Sequence, residues 1–247
     1  MPDLSWLIER PIAHRGLHDL NRTVWENTLA AFSEAIRHGY AIECDVQLSA
    51  DGVPVVFHDS SLKRLTGRDG DVADLTAREL AGLSIGGTGE RIPSLGDMLA
   101  LVRGRVPLVI ELKGTPGRDG QLVAEVVRRL AAYRGHAAIM SFDHHLIRDM
   151  ARHAGAIPFG LTAEGQDEAA LERHFSMLAH DISFVSYNVR DLPNGFVHFV
   201  RGRLSIPVIT WTVRDEEAAA VTFAYADQMT FEGFLPPLHR DPGGFHG

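Results

Sequence analysis

The sequence predicts a (β/α)8 barrel, and three observations carry that prediction. Short apolar runs bounded by turn residues alternate with segments of helical periodicity along most of the chain. Eight such runs can be counted, the number a closed parallel barrel needs. Charged residues collect at the C-terminal ends of the early runs, where barrels of this kind carry their reactive groups. The length of 247 residues and an apolar content of 45% suit one barrel. Residues 1–247 are therefore expected to form one domain, with residues 59–93 as a small inserted cap after the hairpin of the second strand. An open doubly wound sheet shares the alternation, but no Gly-rich phosphate loop joins the first strand to its helix.

The first strand is expected over Pro11 to Arg15, ending in His14-Arg15-Gly16. A polar connection leads to Trp25-Glu26-Asn27-Thr28, where Asn27 or Thr28 can cap a helix; Leu29, Phe32 and Ile36 follow at helical spacing and Gly39 supplies the stop. The second strand reads Ala-Ile-Glu-Cys-Asp-Val-Gln-Leu-Ser from Ala41. Asp51-Gly52 then signals a tight hairpin, too short for a parallel crossover, that returns the chain along Val53 to Asp59. With Asp51 and Gly52 as the two central turn residues, Ala50 pairs with Val53 and Asp45 lies opposite His58. A three-residue loop would slip that register by one.

From Asp59 to about Arg91, Thr66-Gly67, Asp69-Gly70 and Gly86-Gly87 break the rhythm, although Thr76 and Glu79 mark a short helix by a capping box. Because this segment starts directly after His58, it is expected to lie over the site and shape its leaving-group side. Regular alternation resumes at Pro93. Ser94 and Asp97 start a helix to Val102, and a strand follows over Pro107 to Lys113. Gln121 to Ala132 is amphipathic, with Leu122, Val123, Val126, Val127 and Leu130 on one face and Glu125, Arg128 and Arg129 outside it. Further strands are expected near Ala137 to Phe142, Ile157 to Thr162, Ile182 to Tyr187, Pro207 to Val213 and Gln228 to Phe234, with helices between them and an irregular tail from Pro236 to Gly247.

Composition narrows the functional classes. A formal charge of -8 argues against broad binding to nucleic acid or anionic membranes, while leaving room for one small anionic substrate in a locally positive pocket. Cys44 is the only cysteine, so no internal disulfide forms, and its orientation into packing reads as core rather than nucleophile. No run reaches the length of a membrane span and the N-terminus lacks a basic start followed by a long apolar run. A cytoplasmic protein without stable membrane insertion is expected.

Strand alternation sends Glu43 and Asp45 to one face, and Glu111 with Lys113 to one face of a later strand. Buried carboxylates that share a face repel one another unless a cation or a shared proton compensates. Three acids without a thiolate suggest a hard divalent cation, Mg2+ or Ca2+. The chain uses arginine for nearly every positive charge, with only Lys63 and Lys113 as exceptions. A compact ammonium at 113 suits a point contact to a phosphate oxygen, and Arg15 could clasp two oxygens. His14 and His58 remain for proton transfer, one as base and the other as acid.

Together, His14-Arg15-Gly16, Glu26-Asn27-Thr28, Glu43-Cys44-Asp45-Val46, Val55-Val56-Phe57-His58-Asp59 and Glu111-Leu112-Lys113 resemble, in order, the successive motifs of the glycerophosphodiester phosphodiesterases, which share the barrel of phosphatidylinositol-specific phospholipases C. Asp59 to Pro93 resembles that family's insertion. The resemblance implies metal-dependent hydrolysis of small glycerophosphodiesters to glycerol 3-phosphate and an alcohol. It implies His14 and His58 as the catalytic pair, Glu43, Asp45 and Glu111 as metal ligands, and Arg15 and Lys113 as phosphate contacts. Phe142 and Trp211 would wall the alcohol side, and Glu26 and Asn27 would support the site. Two departures stand out: Trp25 precedes the Glu-Asn-Thr where the family often has proline, and the usual final Thr-Asp is replaced around Phe231-Glu232-Gly233-Phe234. Competing readings are a lysophospholipase D-type hydrolase, which needs an apolar entry surface, a non-catalytic phosphodiester-binding barrel, and an aldolase-like Schiff base on Lys113.

Overall fold

The structure, a computed structural model, describes residues 3–239. Its strands are β1 (Ile12–Ala13), β2 (Ala41–Leu48), β3 (Pro54–Val56), β4 (Leu108–Leu112), β5 (Ala137–Ser141), β6 (Phe159–Ala163), β7 (Phe184–Asn188), β8 (Val208–Val213) and β9 (Gln228–Phe231). All but β3 run parallel in the ring β1-β2-β4-β5-β6-β7-β8-β9, and β9 pairs with β1 to close it. The expected barrel is therefore present, with helices between successive strands.

Sequence chemistry explains the helix ends that set the frame. Leu29–His38 starts at Thr28, whose hydroxyl accepts from Ala31 N–H, and ends at Gly39 with φ of 77°. Thr28 is the cap, which leaves Asn27 free for another task. Capping boxes at Thr76 with Glu79 and Ser94 with Asp97 form as the spacing predicts. Leu122–Leu130 buries Leu122, Val123, Val126 and Leu130 against the barrel.

A short helix that the periodicity does not announce, Ser5–Ile8, sits at the N-terminal end of the barrel. Leu4, Trp6 and Leu7 pack there with Ile12, Ala41, Val109, Phe184 and Ile209 from the strands. Gly160 makes room for this filling, since a Cβ on it would come within 2.7 Å of the Phe184 ring. Truncating Phe184 to alanine would cost about 3–5 kcal/mol by the usual cavity penalty. The bottom of the barrel is thus a packed core.

The hairpin differs from its expected register. The ladder pairs Val46 with Val56, Gln47 with Val55 and Leu48 with Pro54, and Phe57 N–H donates to Asp45 O at 3.0 Å. Asp45 therefore lies opposite Phe57, not His58, and Ala50 does not pair with Val53. The physical reason is a three-residue loop: Ser49 N–H donates to Val53 O at 3.0 Å, Gly52 adopts φ of +74°, and the Ser49 hydroxyl binds Asp51 Oδ1 at 2.6 Å. Because β1 is only two residues long, the upper edge of β2 is left open for β3.

The insertion has its own apolar cluster. Leu62, Leu65, Val72, Leu80, Ile85 and Ile92 pack with Val55 and Phe57 of the hairpin. Trp25 packs on Gly86, where a Cβ would fall 2.0 Å from the indole. The segment is docked against the hairpin and the loop before the first long helix. Of the expected irregular tail, residues 240–247 lie outside the described part of the chain.

Candidate active site

The C-terminal ends of β1, β2 and β4 bring the expected groups together. Parallel pairing sets Asp45 beside Glu111, and Glu43 is two residues back on the same face of β2. His14, Arg15, Glu43, Asp45, His58, Glu111 and Lys113 line one cavity of about 180 Å3, with Met140, Phe142, Trp211, Thr212, Arg214 and Thr230 completing it. A larger cleft of about 560 Å3 runs beneath the hairpin tip, but its charged lining residues, Asp74 and Arg118, bind each other at 2.6 Å. Of these two, the small cavity gathers both imidazoles and the three buried acids.

Glu43, Asp45 and Glu111 are buried, and one carboxylate oxygen from each lies within 4.8 Å of the others. Asp45 accepts from Asn27 Nδ2 at 2.9 Å and has Lys113 Nζ at 3.1 Å and Arg15 Nε at 3.2 Å. Burial opposes its ionisation, but Lys113 and Arg15 outweigh that and hold Asp45 below the usual carboxylate range. Lys113 also binds Glu111. Burial nonetheless pushes Glu111 up to about 7. Glu43 receives the Arg15 backbone N–H at 2.9 Å, yet burial and repulsion from Asp45 and Glu111 push it well above the ordinary value. The cluster is short of positive charge, which fits it to a hard divalent cation.

Both imidazoles have a carboxylate on Nδ1. His14 Nδ1 is 2.6 Å from Glu232 Oε2, and His58 Nδ1 is 2.7 Å from Asp59 Oδ1. These bonds assign the proton to Nδ1 and the lone pair to Nε2 in the neutral rings. Burial lowers the pKa of each, with Glu232 opposing it at His14 and Asp45 opposing it at His58. Asn27 is fully buried and clasps Asp45, while Glu26 binds Arg15 Nη1 at 2.7 Å. Phe142 and Trp211 meet edge to face at 5.2 Å, and Lys113 Nζ stands 5.7 Å over the Phe142 ring.

Several residues of this constellation escape the sequence reading. Glu232 closes on His14 from just beyond β9, and Arg214 holds its other oxygen at 2.7 Å. Its position at a strand's C-terminal end was the available signal. His18 Nδ1 accepts from Leu20 N–H at 3.2 Å, so its proton sits on Nε2 and faces Glu232 Oε2 at 3.7 Å. Glu232 is thus hydrogen-bonded to His14, whereas His18 Nε2 stands beyond hydrogen-bond distance from it and has no hydrogen-bond partner among the described residues. Arg64, from the insertion, binds both Glu26 and Asp59.

A closed (β/α)8 barrel with buried acids, two carboxylate-paired imidazoles and two cations at its mouth has the make-up of a phosphodiester hydrolase. The chain belongs to the glycerophosphoryl diester phosphodiesterase family, which it matches over residues 14–234. It is 37% identical over 162 residues to a glycerophosphodiester phosphodiesterase of Caldanaerobacter subterraneus subsp. tengcongensis, a match covering 61% of this chain and 65% of that relative. Among solved structures, it resembles an Oleispira antarctica phosphodiesterase in complex with the product sn-glycerol-3-phosphate, with a TM-score of 0.79, 25% identity and coverage of 92% and 94% of the two chains. It also resembles the glycerophosphodiester phosphodiesterase of Thermotoga maritima, with a TM-score of 0.70, 26% identity and coverage of 89% and 92%. Among the described residues, no helix is long and apolar enough to cross a membrane.

Proposed function

We propose that this chain hydrolyses small glycerophosphodiesters to glycerol 3-phosphate and an alcohol, by proton transfer through His14 and His58 beside a divalent cation. The observation that carries the reading is the meeting of three buried carboxylates, both imidazoles, Arg15 and Lys113 in one cavity of about 180 Å3. That volume suits a phosphate with a glycerol rather than a long acyl chain. Glu43, Asp45 and Glu111 would hold Mg2+ or Ca2+, which when bound supplies charge neutralisation at the phosphoryl group and a lowered pKa for a neighbouring hydroxyl.

The chain's own groups then have separate tasks. Lys113 and Arg15 neutralise phosphate oxygens, the first as a point charge and the second as a planar fork. One neutral imidazole accepts the proton of the attacking hydroxyl or water at Nε2, and the other, protonated, gives one to the departing alkoxide. Glu232 and Asp59 keep the Nδ1 positions protonated, so Nε2 is the working atom of each ring. Phe142 and Trp211 wall the alcohol side, and residues 59–93 support the hairpin that carries His58. The test is release of glycerol 3-phosphate from the choline, ethanolamine and glycerol diesters, before and after chelation and with Mg2+ or Ca2+ restored. Undiminished release after chelation defeats the metal role, and selective turnover of micellar lysolipids defeats the substrate class.

A further inference from the structure

Among the described residues, the insertion puts no side chain of residues 60–93 into the cavity lining, yet one of them reaches two residues that do line it, Arg15 and His58, through one intervening carboxylate each. Arg64, on the Lys63–Thr66 helix, engages two carboxylates at once. Its Nη1 and Nη2 donate to Glu26 Oε2 and Oε1, both at 2.8 Å. Its Nε and Nη2 donate to Asp59 Oδ2 and Oδ1 at 2.7 and 2.9 Å. The same carboxylates continue inward: Glu26 Oε1 accepts from Arg15 Nη1 at 2.7 Å, and Asp59 Oδ1 lies 2.7 Å from His58 Nδ1. The contacts run Arg15, Glu26, Arg64, Asp59, His58, and both ends reach the cavity.

We infer that Arg64 is a positioning residue: through Glu26 and Asp59 it sets the placement of the Arg15 guanidinium and the His58 imidazole relative to each other. The inference rests on the roles proposed above for Arg15 and His58. Only a guanidinium has the planar fork for two carboxylates at once, and an ammonium offers a single compact charge. The scaffold behind it is stiff, because Leu62 and Leu65 on either side of Arg64 are buried in the insertion's apolar cluster. The same cluster holds Trp25, the neighbour of Glu26. Asn21 Nδ2 also binds Glu26 at 2.7 Å, so loss of Arg64 loosens that carboxylate without freeing it. Among the described residues, the Asp59 carboxylate has no such second support besides His58 and is 23% exposed, so its grip on the ring is what Arg64 chiefly secures.

The experiment compares the wild-type protein with Arg64→Ala, Arg64→Lys, Asp59→Asn and the double variant Arg64→Ala/Asp59→Asn, with glycerophosphocholine as substrate and the divalent cation present. Arg64→Ala is expected to lower kcat by about tenfold or more while KM moves less than about threefold, the signature of misplaced rather than missing contacts. Arg64→Lys should recover part of that loss, and methylguanidinium ion should restore Arg64→Ala several-fold without affecting the wild type. Losses in the double variant should be less than additive, since both changes break one path. Nitrogen-15 spectra of the histidines read the same geometry without turnover: His58 should hold its Nδ1–H tautomer in the wild type and lose it in Arg64→Ala. Wild-type kcat and KM in Arg64→Ala, fully additive losses, or an unchanged His58 tautomer would overturn the inference. An inactive wild type whose His58 tautomer still depends on Arg64 would instead defeat the functional reading alone. If Arg64→Ala fails to fold, Arg64→Lys decides by the same readouts.

Discussion

The two imidazoles at the barrel mouth are held in contrasting ways. His14 and Glu232 form the more sheltered, part-buried pair, with side chains 13% and 11% exposed, joined across 218 residues of sequence. His58 and Asp59 are sequence neighbours, 31% and 23% exposed, and their pairing is braced from outside by Arg64. The less water reaches a carboxylate, the more strongly it orients its imidazole, since water competes for the Nδ1 proton, whereas a more exposed one depends on its own supports. The difference separates a sheltered imidazole–carboxylate pair from a more exposed one held by an outside brace.

Removing either ring should erase that contrast. His14→Ala and His58→Ala are each expected to lower kcat by about 100-fold to 10,000-fold, the usual worth of general acid-base catalysis, measured as glycerol 3-phosphate release. Activity undiminished in both variants would end their assigned roles. Removing the partners should sharpen the contrast instead. Glu232→Gln is expected to cost about 100-fold in kcat, because an amide can donate to Nδ1 and stabilise the wrong tautomer. Asp59→Asn should cost only about tenfold, because water can accept the Nδ1 proton in its place. Equal losses would show that burial does not distinguish the two sites.

Two of the carboxylates behind the rings, Glu43 and Glu111, shift in the opposite sense, upward. Burial pushes Glu111 up to about 7, so in the cation-free protein it holds a proton that an unfolded chain would already have lost. That raised value makes its contribution to stability complete below the unfolded carboxylate pKa and lost as pH rises through 7. In the proposed function, cation uptake at Glu111 would displace the same proton. The affinity for Mg2+ or Ca2+ should therefore rise with pH from 6 to 8, by up to about tenfold per unit for one proton released. Titration calorimetry in buffers of different ionisation heat reads the proton directly, and a pH-independent affinity without proton release contradicts the placement of the cation at Glu111. The thermal midpoint of chelated protein should also fall over this range more than that of cation-loaded protein.

Much of this layout was legible because it is local. Alternation alone puts Glu43 and Asp45 on one face, and a capping box four residues long marks the start of the helix at Leu95. Cys44 is buried in the outer core, as its alternation with Glu43 and Asp45 requires. The hairpin slipped because Asp51-Gly52 suits two loop lengths, and the choice fell to the Ser49 hydroxyl and its bond to Asp51. Glu232 and Arg64 were hidden for a different reason: each acts across a contact between distant segments, which no spacing encodes. The helix Ser5–Ile8 was missed because four residues show no period, and its place comes from filling the barrel floor.

The smallest expected effect comes from the wall facing the charges. Phe142 is 37% exposed, lies edge to face with Trp211, and carries Lys113 Nζ 5.7 Å above its ring. A cation over an aromatic face at a half-exposed site is worth about 0.5–1 kcal/mol. Phe142→Leu keeps apolar bulk but removes that face, so KM should rise by about threefold or less while kcat stays within about twofold. The same variant should change the relative KM values of the choline, ethanolamine and glycerol diesters if, as proposed, the wall meets the alcohol and not the phosphate. A collapse in kcat with uniform KM would place Phe142 against the reacting end of the substrate, and the division between a charged, reactive half of the mouth and an apolar, selective half would fail with it.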